Sequence, residues 1–195
     1  MSRPAVPKGS TGMRQHDEGS ISAPRNRFTT LQRALHWTMA VCILAMLFIG
    51  IGMVSTISPR YHMLLAVHKS IGIVILVLVA IRLINRLINP PPPLPADLPW
   101  WQVSAAKASH WVLYLLMFAL PLVGWAMLSA AGYPIVVFGS LHLPAILPHD
   151  VAVFALLRTA HTVLALLLFA TFLAHLGAAL FHALIRRDEV LPSML

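Results

Sequence analysis

Four apolar stretches govern what this chain can fold into. Roughly residues 35–54, 66–87, 110–128 and 160–185 can each cross a hydrocarbon core of about 30 Å, which takes about 20 helical residues. Lipid offers no hydrogen bonds, so a crossing backbone must satisfy its own, and a helix does so within one segment. Of 195 residues, 58% are hydrophobic and only 10% charged, and the mean hydropathy is +0.80, values outside the range of an ordinary soluble domain. The expected fold class is an all-α membrane protein, a four-transmembrane-helix bundle forming one domain over residues 28–195.

Residues 1–27 are rich in Ser, Pro, Gly and Arg with almost no large apolar groups. They read as a disordered basic tail, because they cannot bury enough surface to fold. They also make a poor secretory signal, since the first apolar stretch is too long, lacks a small-residue cleavage site and carries His36 at its start. Orientation follows from Lys and Arg near the span ends. With the N-terminus inside, eleven cations (Arg3, Lys8, Arg14, Arg25, Arg27, Arg33, Arg82, Arg86, Lys107, Arg186 and Arg187) face the cytoplasm, and three (Arg60, Lys69 and Arg158) face outward. Both termini are therefore expected inside, which also accounts for the net charge of +8. No basic patch interleaves with aromatics on a foldable segment, so the charge does not point to nucleic acid. The single cysteine, Cys42, lies in the first span and reads as a small core residue.

The connection after the second span runs through Pro90 to Pro93, Pro95 and Pro99, which cannot continue a helix and predict a stiff extended segment. Trp100 and Trp101 follow at an expected interface position. Pro121 is expected to kink the third span. The outer loop, about residues 129–158, is cut into turns by Gly132, Pro134, Gly139, Pro144 and Pro148. Its IVVFGSLHLP core is expected to lie along the membrane surface.

Histidines carry the chemistry. His161 and His175 are fourteen residues apart, so on one helix they share a face and lie about 21 Å apart. Titratable side chains inside an apolar span are costly and mark function. Depth then pairs them: His36 opens the first span on the inner side, level with His175, and His68 opens the second on the outer side, level with His161. Four neutral imidazoles at two levels can supply the axial ligands of two b-type haems. Small residues within a turn of them (Ala40, Gly72, Ala165, Ala174, Ala178 and Ala179) leave room for a macrocycle or simply line helix contacts. His62, His110, His142 and His149 read as interfacial.

The chain resembles the prokaryotic cytochrome b561 family from about Phe28 to Met194. The likeness rests on RALHW, LLAVHKSIGI, VLVAIRLINRL, the proline-rich connection, HWVLYLLMFALPLVGWAM, GYPIVVFG, and His161, His175 and His182 followed by RRDEVLPSM. It implies a dihaem cytochrome of the bacterial inner membrane, with haem iron held by the pairs His36/His175 and His68/His161. The superoxide oxidases look like the nearest subgroup, and their quinone site includes the residue matching His182. The implied activity is oxidation of superoxide at the periplasmic side and reduction of ubiquinone, a superoxide:quinone oxidoreductase.

Other residues have two readings each. His182, two turns beyond His175, either hydrogen-bonds a quinone carbonyl or caps the helix end. Arg82 and Arg86 either pair with propionates of the inner haem or only enforce orientation. Lys69 and Arg158, beside the outer pair, are expected to draw in a small anion. The first competing function is a b-type subunit passing electrons from a periplasmic donor or partner dehydrogenase to quinone. The second, remote one is a His/Met metal transporter.

Overall fold

The computed structural model describes residues 27–195, so the basic tail expected over residues 1–27 lies, apart from Arg27, outside the described residues. Four helices dominate: α1 Thr30–Ser55, α2 Arg60–Ile88, α3 Trp100–Ala130 and α4 Val151–Phe181. A five-residue π turn, His182–Arg186, extends α4 and a single 3-10 turn, Pro192–Met194, ends the chain. All four helices are long and apolar enough to cross a membrane. Large apolar side chains such as Val41, Phe48, Leu156 and Leu166 point outward, as a lipid-facing surface requires. The protein is an all-α membrane bundle.

Each helix begins before its apolar stretch, and at α1 and α4 a capping side chain shows why. Thr29 and Gln32 form a capping box at α1, with Thr29 N–H donating to Gln32 Oε1 at 2.9 Å and Gln32 N–H to Thr29 Oγ1 at 3.2 Å. Gln32 Nε2 also donates to the Asn89 carbonyl at 2.7 Å, tying the start of α1 to the end of α2. At α4, the Asp150 side chain accepts from the Ala152 and Val153 amides, while its own amide donates to Ala130 at the end of α3. Pro121 sits inside α3 without ending it.

The loop between α3 and α4 adds a feature that turns alone do not announce, a hairpin of β1 Ile135–Val137 and β2 Leu141–Leu143, with Ile135 opposite Leu143. Ile135 and Val137 are buried, so alternation sends every second residue of β1 into the protein. Phe138 and Gly139 make the turn with φ of +51° and +76°, as the right-handed strand twist favours. Ser70 Oγ on α2 accepts the Phe138 amide at 2.9 Å, pinning the turn two residues from His68.

α1 packs on α2, α2 on α3, and α3 on α4, but α4 forms no comparable seam with α1 or α2. The core joins Met39 and Ile43, Ile75 and Val79, Tyr114, Leu116 and Met117, and Leu168. Ile43, Ile75 and Leu168 each lie seven residues from a histidine of their own helix, His36, His68 and His161. They therefore form an apolar layer midway between the two histidine levels.

Leu116→Ala should cost about 2–4 kcal/mol, because lipid supplies no atoms to fill the cavity. Leu115→Ala, at a lipid-facing position, should cost under about 0.5 kcal/mol. Reversible unfolding in mixed micelles compares the two.

Candidate functional site

The helices bring the four span histidines together as two pairs. His36 on α1 and His175 on α4 have ring centroids 6.3 Å apart with planes at 69°. His68 on α2 and His161 on α4 are 6.1 Å apart with planes at 63°. Both pairs reach across the side of the bundle where α4 stands off α1 and α2. A metal gripped between two imidazole nitrogens at about 2.0–2.1 Å each puts the ring centroids about 6.3 Å apart. Both observed spacings match that value. His68 Nδ1 and His161 Nδ1 are buried without hydrogen-bond partners, a costly arrangement for purely structural side chains. Spacing and standoff fit a bis-imidazole metal group at each level, while the orphaned Nδ1 atoms belong to the His68/His161 level alone. Among the described residues no cluster of three or more His, Cys, Asp or Glu could hold a bare metal ion.

At the His36 level a third imidazole appears that sequence reading had placed at the interface. The His110 ring centroid lies 5.2 Å from that of His175, and His110 Nδ1 donates to the Ala106 carbonyl at 2.6 Å. A centroid spacing of 5.2 Å is too short for an iron between them, so His110 packs against the pair rather than replacing a member. His110 lies ten residues into α3, and the packing of α3 on α4 brings it to His175.

Arg82 and Arg86 flank this level from α2. Arg82 donates to His36 Nδ1 at 3.2 Å and to the Gln32 carbonyl at 3.4 Å. Arg86 lies over the Trp111 and Tyr114 rings at 5.9 and 5.8 Å, a cation–π arrangement. Both guanidiniums line a small cleft with Phe28, Gln32, Pro91 and Tyr114.

At the other level, Lys69 follows His68 and is half-buried, while Arg158 is exposed one turn before His161. No ion pair among the described residues takes up either cation. Gly124 on α3 is a contact the sequence reading missed. A Cβ there would stand 3.3 Å from His161 Cε1, so glycine is what lets α3 approach the ring. By contrast, a Cβ on Gly72 would meet only Met46 at an ordinary 3.9 Å. His62, His142 and His149 are exposed.

His182 is largely buried on the π turn, and its Nδ1 donates to Asp188 Oδ2 at 2.7 Å. Burial works against the Asp188 charge, but hydrogen bonds from His182, the Val190 amide and Arg186 outweigh it and hold its pKa below the ordinary value. The stabilisation from that carboxylate is therefore present above the ordinary aspartate pKa and lost as pH falls through the lower folded value.

Gly124→Val should remove the metal group of the His68/His161 level in more than half of the molecules. Gly50→Val, whose Cβ meets nothing within 4 Å, should leave both levels filled. His110→Ala should keep both groups and alter only the spectrum of the His36/His175 level. Haem quantitation with low-temperature reduced spectra reads all three.

Residues 27–195 match the family model described as prokaryotic cytochrome b561. Cytochrome b561 homolog 2 of Escherichia coli strain K12 is 37% identical over 179 residues, covering 90% of this chain and 95% of the relative. Cytochrome b561 homolog 1 of the same organism is 33% identical, with 87% and 97% covered. A Yersinia pestis protein named probable superoxide oxidase CybB is 32% identical, with 87% and 96% covered. The family implies b-type haem and membrane electron transfer, in keeping with imidazole pairs spaced for bis-histidine ligation. This chain belongs to the prokaryotic cytochrome b561 family.

Proposed function

We propose that this cytochrome is a superoxide:ubiquinone oxidoreductase of the bacterial inner membrane. It holds two b-type haems, one between His36 and His175 and one between His68 and His161, with both termini cytoplasmic. The observation that carries the reading is the pair of 6.3 and 6.1 Å imidazole spacings at opposite ends of one bundle. Likeness to a protein named probable superoxide oxidase supports the choice of donor. Bound there, haem supplies reversible one-electron iron chemistry.

The chain's own residues do the rest. Lys69 and Arg158 raise the concentration of a small anion beside the outer pair, which speeds its capture. Ser70 and the β1–β2 turn fix the ceiling of that level. Ile43, Ile75 and Leu168 keep water and ions from passing between levels. Arg82 bears only donors; were His36 to ligate through Nε2 and carry its proton on Nδ1, the guanidinium would keep only the Gln32 carbonyl at 3.4 Å. A haem propionate at this level would give Arg82 a new partner, with Arg86 beside it in the same cleft. His182 hydrogen-bonds a ubiquinone carbonyl at the cytoplasmic end.

Purified protein, without a partner, should form ubiquinol from superoxide and quinone. A strict requirement for a periplasmic protein donor would instead make it an electron-transfer subunit. Lys69→Glu with Arg158→Glu, at unchanged haem content, should slow reduction by superoxide at least about tenfold and flatten its salt dependence. His36→Ala and His175→Ala should cost the same haem, and His68→Ala and His161→Ala the other; loss of one haem by both His36→Ala and His161→Ala would sink the pairing.

A further inference from the structure

Beyond α4 the chain makes an unusual turn. The π turn His182–Arg186 is followed by Arg187 at φ +54°, a left-handed conformation that a residue with a Cβ adopts at a cost. Reversing the chain there brings Asp188 back onto its own helix end. The carboxylate meets His182 Nδ1 at 2.7 Å and Arg186 Nε at 3.0 Å through one oxygen, and the Val190 amide at 3.1 Å through the other. Arg186 is held in turn by Asp97 of the α2–α3 connection at 2.6 Å. The His182 and Asp188 side chains are only 15% and 16% exposed, whereas Asp97 is mostly exposed. Strain, burial and three convergent donors make this more than a surface ion pair.

An ionised carboxylate only accepts hydrogen bonds, so Nδ1 must be the protonated nitrogen of His182 and Nε2 is the one left for a ligand. We propose that Asp188 is the positioning residue of His182, fixing it as the proton donor to the ubiquinone carbonyl; this rests on the quinone reading of His182 given above. Charged His182 gives up its Nε2 proton as a carbonyl O–H bond forms, and is left as the neutral Nδ1–H form that Asp188 already favours. Water supplies the second proton. The two electrons come from two superoxide anions, each released as dioxygen.

The test uses the full haem-loaded protein in nanodiscs, reduced with dithionite and mixed with decylubiquinone, so that the physiological donor plays no part. Asp188→Asn should slow haem reoxidation about 10- to 100-fold, with haem content unchanged and the quinone concentration dependence within about threefold. Asp188→Glu should recover most of the rate. 15N-histidine NMR should find neutral His182 protonated on Nδ1 in the wild type and on both nitrogens in exchange in Asp188→Asn. A wild-type His182 protonated on Nε2 overturns the inference whatever the variants do. So does a slow Asp188→Asn whose tautomer is unchanged, or a fast Asp188→Asn beside a slow His182→Gln. His182→Gln reoxidised at the wild-type rate instead overturns the quinone reading itself.

Discussion

An imidazole inside an apolar span is expensive unless something takes up its nitrogens, and this chain sets four of them in facing pairs. That cost organises the bundle. Each ring must find a counterpart at its own depth, so α1 and α2 each face α4 with one histidine, at opposite ends. α4 stands off both helices because a ring-to-ring spacing above 6 Å is incompatible with closely packed backbones. α3 then supplies the continuous packing that α4 lacks elsewhere, approaching so closely at Gly124 that a Cβ there would crowd the His161 ring.

Much of this was legible in the residues. Spans follow from apolar length, and the histidine depths follow from span direction, so the pairs could be named before any coordinates. Helix ends were less legible. Apolar length sees neither the Thr29–Gln32 cap nor the polar first turns of α3, where Gln102 and Lys107 sit on helix rather than connection.

His110 was misplaced for a different reason. Both members of the nearest pair were already accounted for, and single-residue reasoning assigns a lone histidine near a helix end to the interface. Only the packing of α3 on α4 carries it to His175. The hairpin was hidden because β1 is apolar on both faces, Ile135, Val136 and Val137 in a row, and its inward alternation emerges only once β1 packs on α2. Asp188 escaped notice because its partner lies across a left-handed residue, which sequence periodicity does not register.

The apolar layer of Ile43, Ile75 and Leu168 has a bioenergetic consequence. It places buried apolar side chains between the two histidine levels, which on the proposed function exchange electrons. In the proposed orientation, oxidising superoxide outside releases no protons, whereas making quinol inside consumes them from the cytoplasm. Each electron then crosses the dielectric uncompensated, against a potential that is negative inside, at about 2.3 kcal/mol per 100 mV for a full crossing. Proton uptake at the far side returns no charge to the outer face. On the proposed function turnover is thus electrogenic, and a well-energised membrane would restrain superoxide oxidation at its outer surface.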